Sequence, residues 1–365
     1  MKKDKQSVNP IKALGKAWAQ YSYIFVFLII MVVYAAVIHM NGNTFKASHI
    51  SAILASQNTV IVGTMAIGMA LVVITGQIDL SIGSALVLVT GCTIMTFNVT
   101  NSIPLMLLAA LASGAVCGLL NGLMVGAAKM PPFIATMGTM LIYRSATLSF
   151  VRELPREISG SGSSQFSMIS DNSNFDFLRK VLGTGKMNLG IIEMPYITIL
   201  FIALLLLFVL IAKRTKYGKA IYAVGSNEKS ARLAGINVTW IKISVYVVLG
   251  LLVGVASFIQ ACKIGNITPA TSGTSYEMYA IAAIVLGGIS MSGGRGNLVG
   301  IIFGALSYTT VNFIIVSIPA LSTDMQDAFQ GLVLILVILI QTLSPILKAK
   351  INSMKKRKAN KLNAG

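Results

Sequence analysis

Residues 56–97 read SQNTVIVGTMAIGMALVVITGQIDLSIGSALVLVTGCTIMTF. Two apolar stretches, Ser56–Thr75 and Ile82–Phe97, flank one polar interruption, Gly76-Gln77-Ile78-Asp79-Leu80-Ser81-Ile82-Gly83. An apolar helix of about 20 residues, rising about 1.5 Å per residue, is long enough to cross a hydrocarbon core of about 30 Å. Apart from Asp4, Asp79 is the only acid in the first 150 residues. The interruption is either an ordinary turn in which Asp79 caps the next helix, or a helix break at membrane depth. In the second case its backbone polar groups are tolerated because they line a polar path. Composition leaves both readings open.

The same texture runs through the chain. Of 365 residues, 55% are hydrophobic and 11% charged, with a mean hydropathy of +0.79, whereas soluble chains carry about 25% charged residues. The runs are long and continuous, unlike the ten-residue alternating strands of outer-membrane barrels. The expected fold is therefore an all-α integral membrane protein of about ten transmembrane helices, with broken or short helices near 76–83 and 276–297. The expected spans are Tyr23–Met40, Ser56–Thr75, Ile82–Phe97, Ile103–Ala127, Phe133–Phe150, Met194–Ala212, Ile241–Ala261, Met278–Ser290, Leu298–Ile318 and Phe329–Leu347. The eighth is short, about 20 Å long, and is expected to be broken, re-entrant or extended by its flanks. The membrane domain is 23–347, with an external loop at 151–193 and a long loop at 213–240, between basic tails at 1–22 and 348–365. The first apolar stretch lacks a small-residue cleavage site and is kept as a span rather than a signal peptide.

A net charge of +18 suggests nucleic acid only until the charges are placed. With ten crossings and both termini cytoplasmic, 21 of the 29 basic residues fall inside and seven outside, and Arg144 lies within a span. That asymmetry orients the chain. The C-terminal run Lys355-Lys356-Arg357-Lys358 fits juxtamembrane anchoring to anionic lipid, not nucleic acid. The three cysteines show no CxxC spacing and read as small apolar helix residues. His39 and His49 are isolated and are assigned no chemistry.

Gly114, Gly118, Gly122 and Gly126 recur at four-residue spacing in the fourth span, and Gly296, Gly300 and Gly304 in the ninth. Such ridges permit close helix–helix approach. A second interruption, Ser290-Met291-Ser292-Gly293-Gly294-Arg295-Gly296-Asn297, separates the eighth and ninth runs. Each break follows an Ala-Ile stretch (Ala66-Ile67, Ala280-Ile281), a hint of internal duplication. The external segment Arg152–Glu193, rich in Ser, Gly and Asn, reads first as a flexible loop. Its alternative is a docking surface using Arg152, Glu153, Arg156 and Glu157.

In the long loop, Ser226 or Asn227 is placed to cap a short helix, with Glu228 in its first turn and Gly235 ending it after Arg232. Ala231 and Ala234 are small enough for close contact. A capped helix of small residues in a basic loop has the form of a docking element.

Here the sequence resembles a known family. GKAIYAVGSNEKSARLAGINV is similar to the coupling loop of ABC importer permeases of the branched family carrying ribose, galactose, xylose and related sugars. QIDLSIGS, NGLMVGAAKMPPFIATMGTMLIYR and YEMYAIAAIVLGGISMSGGRGNLVGIIFGAL match the same family in order, over roughly residues 50 to 345. The resemblance implies that Gly225, Asn227, Glu228, Ala231, Arg232 and Gly235 seat in a cleft of an ATPase subunit, whose closing rocks the membrane helices. It implies a bacterial cytoplasmic-membrane location and three kinds of partner: ABC ATPase subunits, a second permease copy or homologue, and an extracytoplasmic solute-binding protein. It also implies no cofactor in this chain, ATP and Mg²⁺ being bound by the ATPase. The chain has no GxxxxGK[ST] loop, since Gly183-Thr184-Gly185-Lys186-Met187 lacks the spacing and the hydroxyl.

Candidate path residues are Asn58, Asp79, Asn121, Phe133, Thr136 and Glu277, because amides, carboxylates and an aromatic face suit hydroxyl-rich solutes. Interhelical hydrogen bonding is the alternative role for each. Gln77 stands where family members commonly carry glycine. The expected cargo is a monosaccharide. A quorum-sensing furanone, inositol or a nucleoside are same-family alternatives, and a stand-alone secondary transporter is a different class. No metal site or catalytic constellation stands out, so the chain is expected not to be an enzyme.

Overall fold

The computed structural model describes residues 10–161, 164–169, 173–190 and 192–318, with scattered positions between 325 and 339. Residues 1–310 form one compact unit and 311–365 a second.

Helix α1 (Pro10–Met40) carries a non-helical kink at Tyr21. Helices α2 (Ala47–Ala55) and α3 (Gly63–Ile74) are joined through a π-helical turn at Asn58–Val62 and bent by 51°. Then follow α4 (Ile82–Thr100), α5 (Ile103–Gly122, prolonged by a π-helical turn Leu123–Ala127) and α6 (Pro132–Glu153). Five helices are long and apolar enough to cross a membrane among the described residues, or six with the bent pair. Helix α6 is long enough at 22 residues, but its Thr, Ser, Tyr and Arg content keeps it out of that set. The expected tenth span, Phe329–Leu347, and the C-terminal basic tail lie outside the continuously described residues.

The described residues of the segment after α6 form short helices and strands, where the sequence reading had a plain loop. It contains α7 (Arg156–Ser159), β1 (Phe166–Ser167), α8 (Ser173–Leu178), and a hairpin of β2 (Lys186–Asn188) with β3 (Glu193–Pro195). Apolar anchors explain these elements. Phe166, Phe175 and Leu178 are buried in a cluster with Phe97, Phe258 and Ile267. Asn98 ties the segment down by donating to the carbonyls of Ile158 and Ser167 at 2.9 Å each.

Helix α9 (Tyr196–Arg214) leads into α10 (Lys216–Ser226) and α11 (Glu228–Leu233), and α12 (Val238–Ile264) follows. Helix α10 was not foreseen in the long loop. Beyond α12, β4 (Asn266–Ile267) pairs antiparallel with β1. Two shorter helices, α13 (Tyr276–Leu286) and α14 (Gly300–Val316), complete the described fold.

The most extensive helix–helix contact is that of α5 with α12, and the glycine ridge explains it. A Cβ on Gly114 would lie 2.3 Å from the Gly250 carbonyl oxygen, and one on Gly118 2.3 Å from that of Tyr246. Without side chains between them the two backbones meet directly, the approach that small residues allow in membrane bundles. On α14 the device begins at Gly300, which faces Gly287, and continues at Gly304 against the Ala283 carbonyl. Gly296 belongs to the preceding loop, with φ +145, so the expected ridge is one residue shorter on that helix.

Candidate functional site

Two helices begin inside the bundle and meet there. The chain leaves α3 at Ile74, turns through Gly76 at φ +80 and starts again at Ile82. Several backbone polar groups of this break have partners. Gln77 donates its amide to the Val72 carbonyl at 3.1 Å. The Ile78 carbonyl accepts from the Tyr246 hydroxyl at 3.0 Å, and the Leu80 amide donates to Thr136 Oγ1 at 3.1 Å. Irregular backbone within a membrane bundle persists only with such satisfaction.

Asp79 is the hub of the break. It is 2% exposed, and its Oδ1 accepts from both the amide and the hydroxyl of Ser81 at 2.7 Å. Its Oδ2 accepts from Asn121 Nδ2 at 3.0 Å. Asn121 also donates to Ser81 Oγ at 2.8 Å and accepts at Oδ1 from Thr139 at 2.8 Å. Asp79 does not cap α4, as one reading of the sequence had it. The N-cap is Ser81, with no side-chain cap bond, and the carboxylate instead closes a local turn while joining the break to α5.

The second helix start is α13. Eleven residues reach about 16 Å, under half the 27-residue length of α12. The loop between them folds back into the bundle, where the Arg144 guanidinium on α6 donates to the carbonyls of Pro269 and Ser272 at 2.6 Å each. Its end lies against the start of α4. A Cβ on Gly83 would stand 2.2 Å from the Gly273 carbonyl oxygen and 2.9 Å from Glu277 Oε2. Two helix N-termini, each with an acid beside its first turn, thus converge. Discontinuous helices of this kind place positive dipole ends and polar groups where a solute is held.

The structure brings Asp79, Asn121 and Thr136 into one cluster and sets Glu277 beside the start of α4. Phe133 is 53% exposed in the first turn of α6. Asn58 lies apart, at the opposite end of α3, where the π-helical turn begins. Ser81, Thr139 and Tyr246 complete the cluster and were not singled out in advance. Thr136, Thr139, Tyr143 and Thr147 form a buried polar stripe at helical spacing on α6, a pattern legible in the sequence.

Helix α10 sits against both breaks, and α11 follows it. Thr215 caps α10 by accepting from the Gly218 amide, and Asn227 caps α11 by accepting from Ser230 at 2.9 Å. Gly235, at φ +81, ends the element as its spacing indicated. Ala231 is buried at 4%, while Leu233 is 90% exposed. Glu228 Oε1 and Oε2 pair with Arg232 at 3.3 Å and Lys242 at 2.9 Å. These partners, Lys242 foremost, hold the Glu228 carboxyl below its ordinary range.

Gly225, at the end of α10, does not face outward with the rest. A Cβ there would fall 1.7 Å from the Ile74 carbonyl oxygen and 2.7 Å from the Gly294 amide. The Gly294 amide donates to Ile74 at 2.8 Å, and the Tyr222 hydroxyl donates to the Gly296 carbonyl at 2.9 Å. The first break, the second break and the element preceding α11 are therefore one backbone junction. Loops that the charge count assigns to a single side of the membrane meet one another here.

A family model described as "Branched-chain amino acid transport system / permease component" matches residues 50–338. The ribose import permease protein RbsC of Escherichia coli (strain K12) is 33% identical over 336 residues, covering 92% of this chain and 98% of the relative. The protein of the same name from Bacillus subtilis (strain 168) is 36% identical over 279 residues, 76% of this chain and 80% of the relative. The galactose/methyl galactoside import permease protein MglC of Haemophilus influenzae is 30% identical over 331 residues, 87% of this chain and 93% of the relative. No solved structure matches the chain.

Proposed function

The chain belongs to this family of transport-system permease components, and from that premise we propose that it is the membrane-spanning subunit of an ATP-binding-cassette importer for a monosaccharide. The ATPase is a separate subunit that binds ATP and Mg²⁺. A second permease copy or homologue and an extracytoplasmic solute-binding protein complete the assembly. Both termini face the cytoplasm of a bacterial cell, as the basic-residue asymmetry supports.

The observation that carries this reading is the junction at Gly225. A short, doubly capped helix projects Leu233 and Lys229 outward and continues, through Gly225, into the two helix breaks. Motion imposed on α11 by a closing ATPase dimer is then delivered to the breaks without an intervening flexible segment. The path residues proposed on this basis are Asp79, Asn121, Thr136 and Glu277, with Asn58 and Phe133 towards its ends. The coupling residues are Gly225, Asn227, Glu228, Ala231, Arg232 and Gly235, with Leu233 added.

The test is uptake by vesicles containing the chain with its ATPase and binding protein, against ribose, galactose, xylose, fructose, inositol, a nucleoside and the quorum-sensing furanone. The reading expects ATP-dependent uptake of one monosaccharide. Uptake by the chain alone without ATP would replace it with a secondary transporter. A relative named autoinducer 2 import system permease protein LsrC, 33% identical over 319 residues, is the reason the furanone is included.

A further inference from the structure

Between the first break, the turn after α5 and the coupling element lies a cavity of about 430 Å³. Its wall carries three cations, Lys129, Arg232 and Lys242, against one carboxylate, Glu228. Glu228 is already shared between Arg232 and Lys242, and Lys129 has no ion pair among the described residues. The cavity is therefore electropositive, the condition for holding an anion.

One further observation points to a ligand. Gln77, 7% exposed and lining the cavity, has an Oε1 that is buried without a hydrogen-bond partner. A buried acceptor left unpaired is costly and calls for a donor. Lys129 is held at φ +58, a left-handed conformation that a lysine rarely adopts. The turn after α5 ends there, with the Met130 amide donating to the Met124 carbonyl at 3.0 Å.

A bare anion meets the cations and leaves Gln77 unserved, whereas a neutral polyol does the reverse. A molecule with both anionic oxygens and hydroxyls satisfies both. The geometry points to a binding site here for a phosphate ester bearing hydroxyls, its phosphate toward Lys129, Arg232 and Lys242 and a hydroxyl donating to Gln77. Two sources present this chemistry, a free sugar phosphate and the glycerol-phosphate headgroup of an anionic lipid. The occupant touches the first break, the Lys129 turn and α11 together, so binding favours whichever arrangement draws them close.

The test is acetylation of the purified full chain in neutral detergent, read by mass spectrometry at Lys129 and Lys242, with exposed Lys229 as the internal control. Ribose 5-phosphate is expected to slow both at least fivefold, with a midpoint at least tenfold lower than that of inorganic phosphate or ribose. Gln77→Leu is expected to raise the ester's midpoint to that of inorganic phosphate. Lys129→Gly removes the cation while relieving the left-handed strain, so its loss of protection at Lys242 is not a folding defect. If lipid is the source, nanodiscs with phosphatidylglycerol protect both lysines, those with phosphatidylcholine alone do not, and the soluble ester adds nothing. The proposal is overturned by absence of protection from both sources, or by inorganic phosphate matching the ester with Gln77→Leu unchanged. Protection only when the ATPase subunit is added would instead assign the cavity to an acidic protein surface. The measurement reads protection of two lysines and requires neither ATP hydrolysis nor solute uptake, so its failure is distinct from failure of the importer reading.

Discussion

The Gly294 amide donates to the Ile74 carbonyl at 2.8 Å, closing the second helix break on the first. Gly225 fills the remaining space, with room for no more than a hydrogen where a side chain would begin. The end of α10 is thereby seated against the two places where the bundle is interrupted.

Gly225→Ala therefore strikes the coupling route. Its methyl would lie 1.7 Å from the Ile74 oxygen, and overpacking of this kind costs about 1–3 kcal/mol. Membrane insertion is expected to persist while ATP-driven uptake falls about tenfold or more, with basal ATP hydrolysis retained. Uptake per ATP hydrolysed by the reconstituted complex measures it, and an unchanged ratio would remove Gly225 from the route.

Asp79→Asn places an amide where the carboxylate accepts from Asn121. Asn121 is committed to Thr139 through its oxygen and cannot turn over without losing that bond. An unpaired buried polar group costs about 1–3 kcal/mol. The variant is expected to insert and assemble, yet to transport poorly. A double-mutant cycle of Asp79→Asn with Asn121→Ala should show coupling of about 0.5–3 kcal/mol in thermal unfolding. Additive losses would separate the two residues.

Gly118→Val is expected to wedge α5 from α12, since a Cβ there stands 2.3 Å from the Tyr246 carbonyl oxygen. Gly138→Ala, with nothing within 4 Å of its Cβ, should leave stability unchanged or slightly raised. Thermal unfolding of the two variants in detergent gives the comparison.

Glu228 supplies a pH test. Hydrogen bonds from Lys242 and Arg232 lower its proton affinity below the ordinary value of 4.5. A lowered carboxyl contributes fully above the unfolded value and is lost only as pH falls through the lower folded one. Coupled uptake should therefore not change through this residue between about pH 8 and pH 5.5. Glu228→Gln, which removes the charge, should reduce coupling at every pH in that range. A wild-type loss with a midpoint near pH 6.5 that disappears in Glu228→Gln would contradict the pairing.

Much of this architecture was legible in the chain itself. Apolar length located the spans, the Gly114–Gly126 spacing the contact of α5 with α12, and Asn227 with Gly235 the two ends of α11. The folding of α12's exit loop back to Arg144 was not legible, because its ties are backbone carbonyls and any sequence supplies those. Nor were the short helices and strands among the described residues of 156–195, where Phe166, Phe175 and Leu178 dock on distant helices. Gly225 entered the docking element through the family resemblance, and only the packing reveals that it faces inward.

The most direct test is the sidedness of α11. In a chain whose three native cysteines are replaced by alanine, Leu233→Cys provides a site that is 90% exposed in the native residue. A membrane-impermeant maleimide should leave it unlabelled in intact cells and label it fully in inside-out vesicles. Labelling from outside intact cells would place the element on the wrong face for an ATPase and contradict the account.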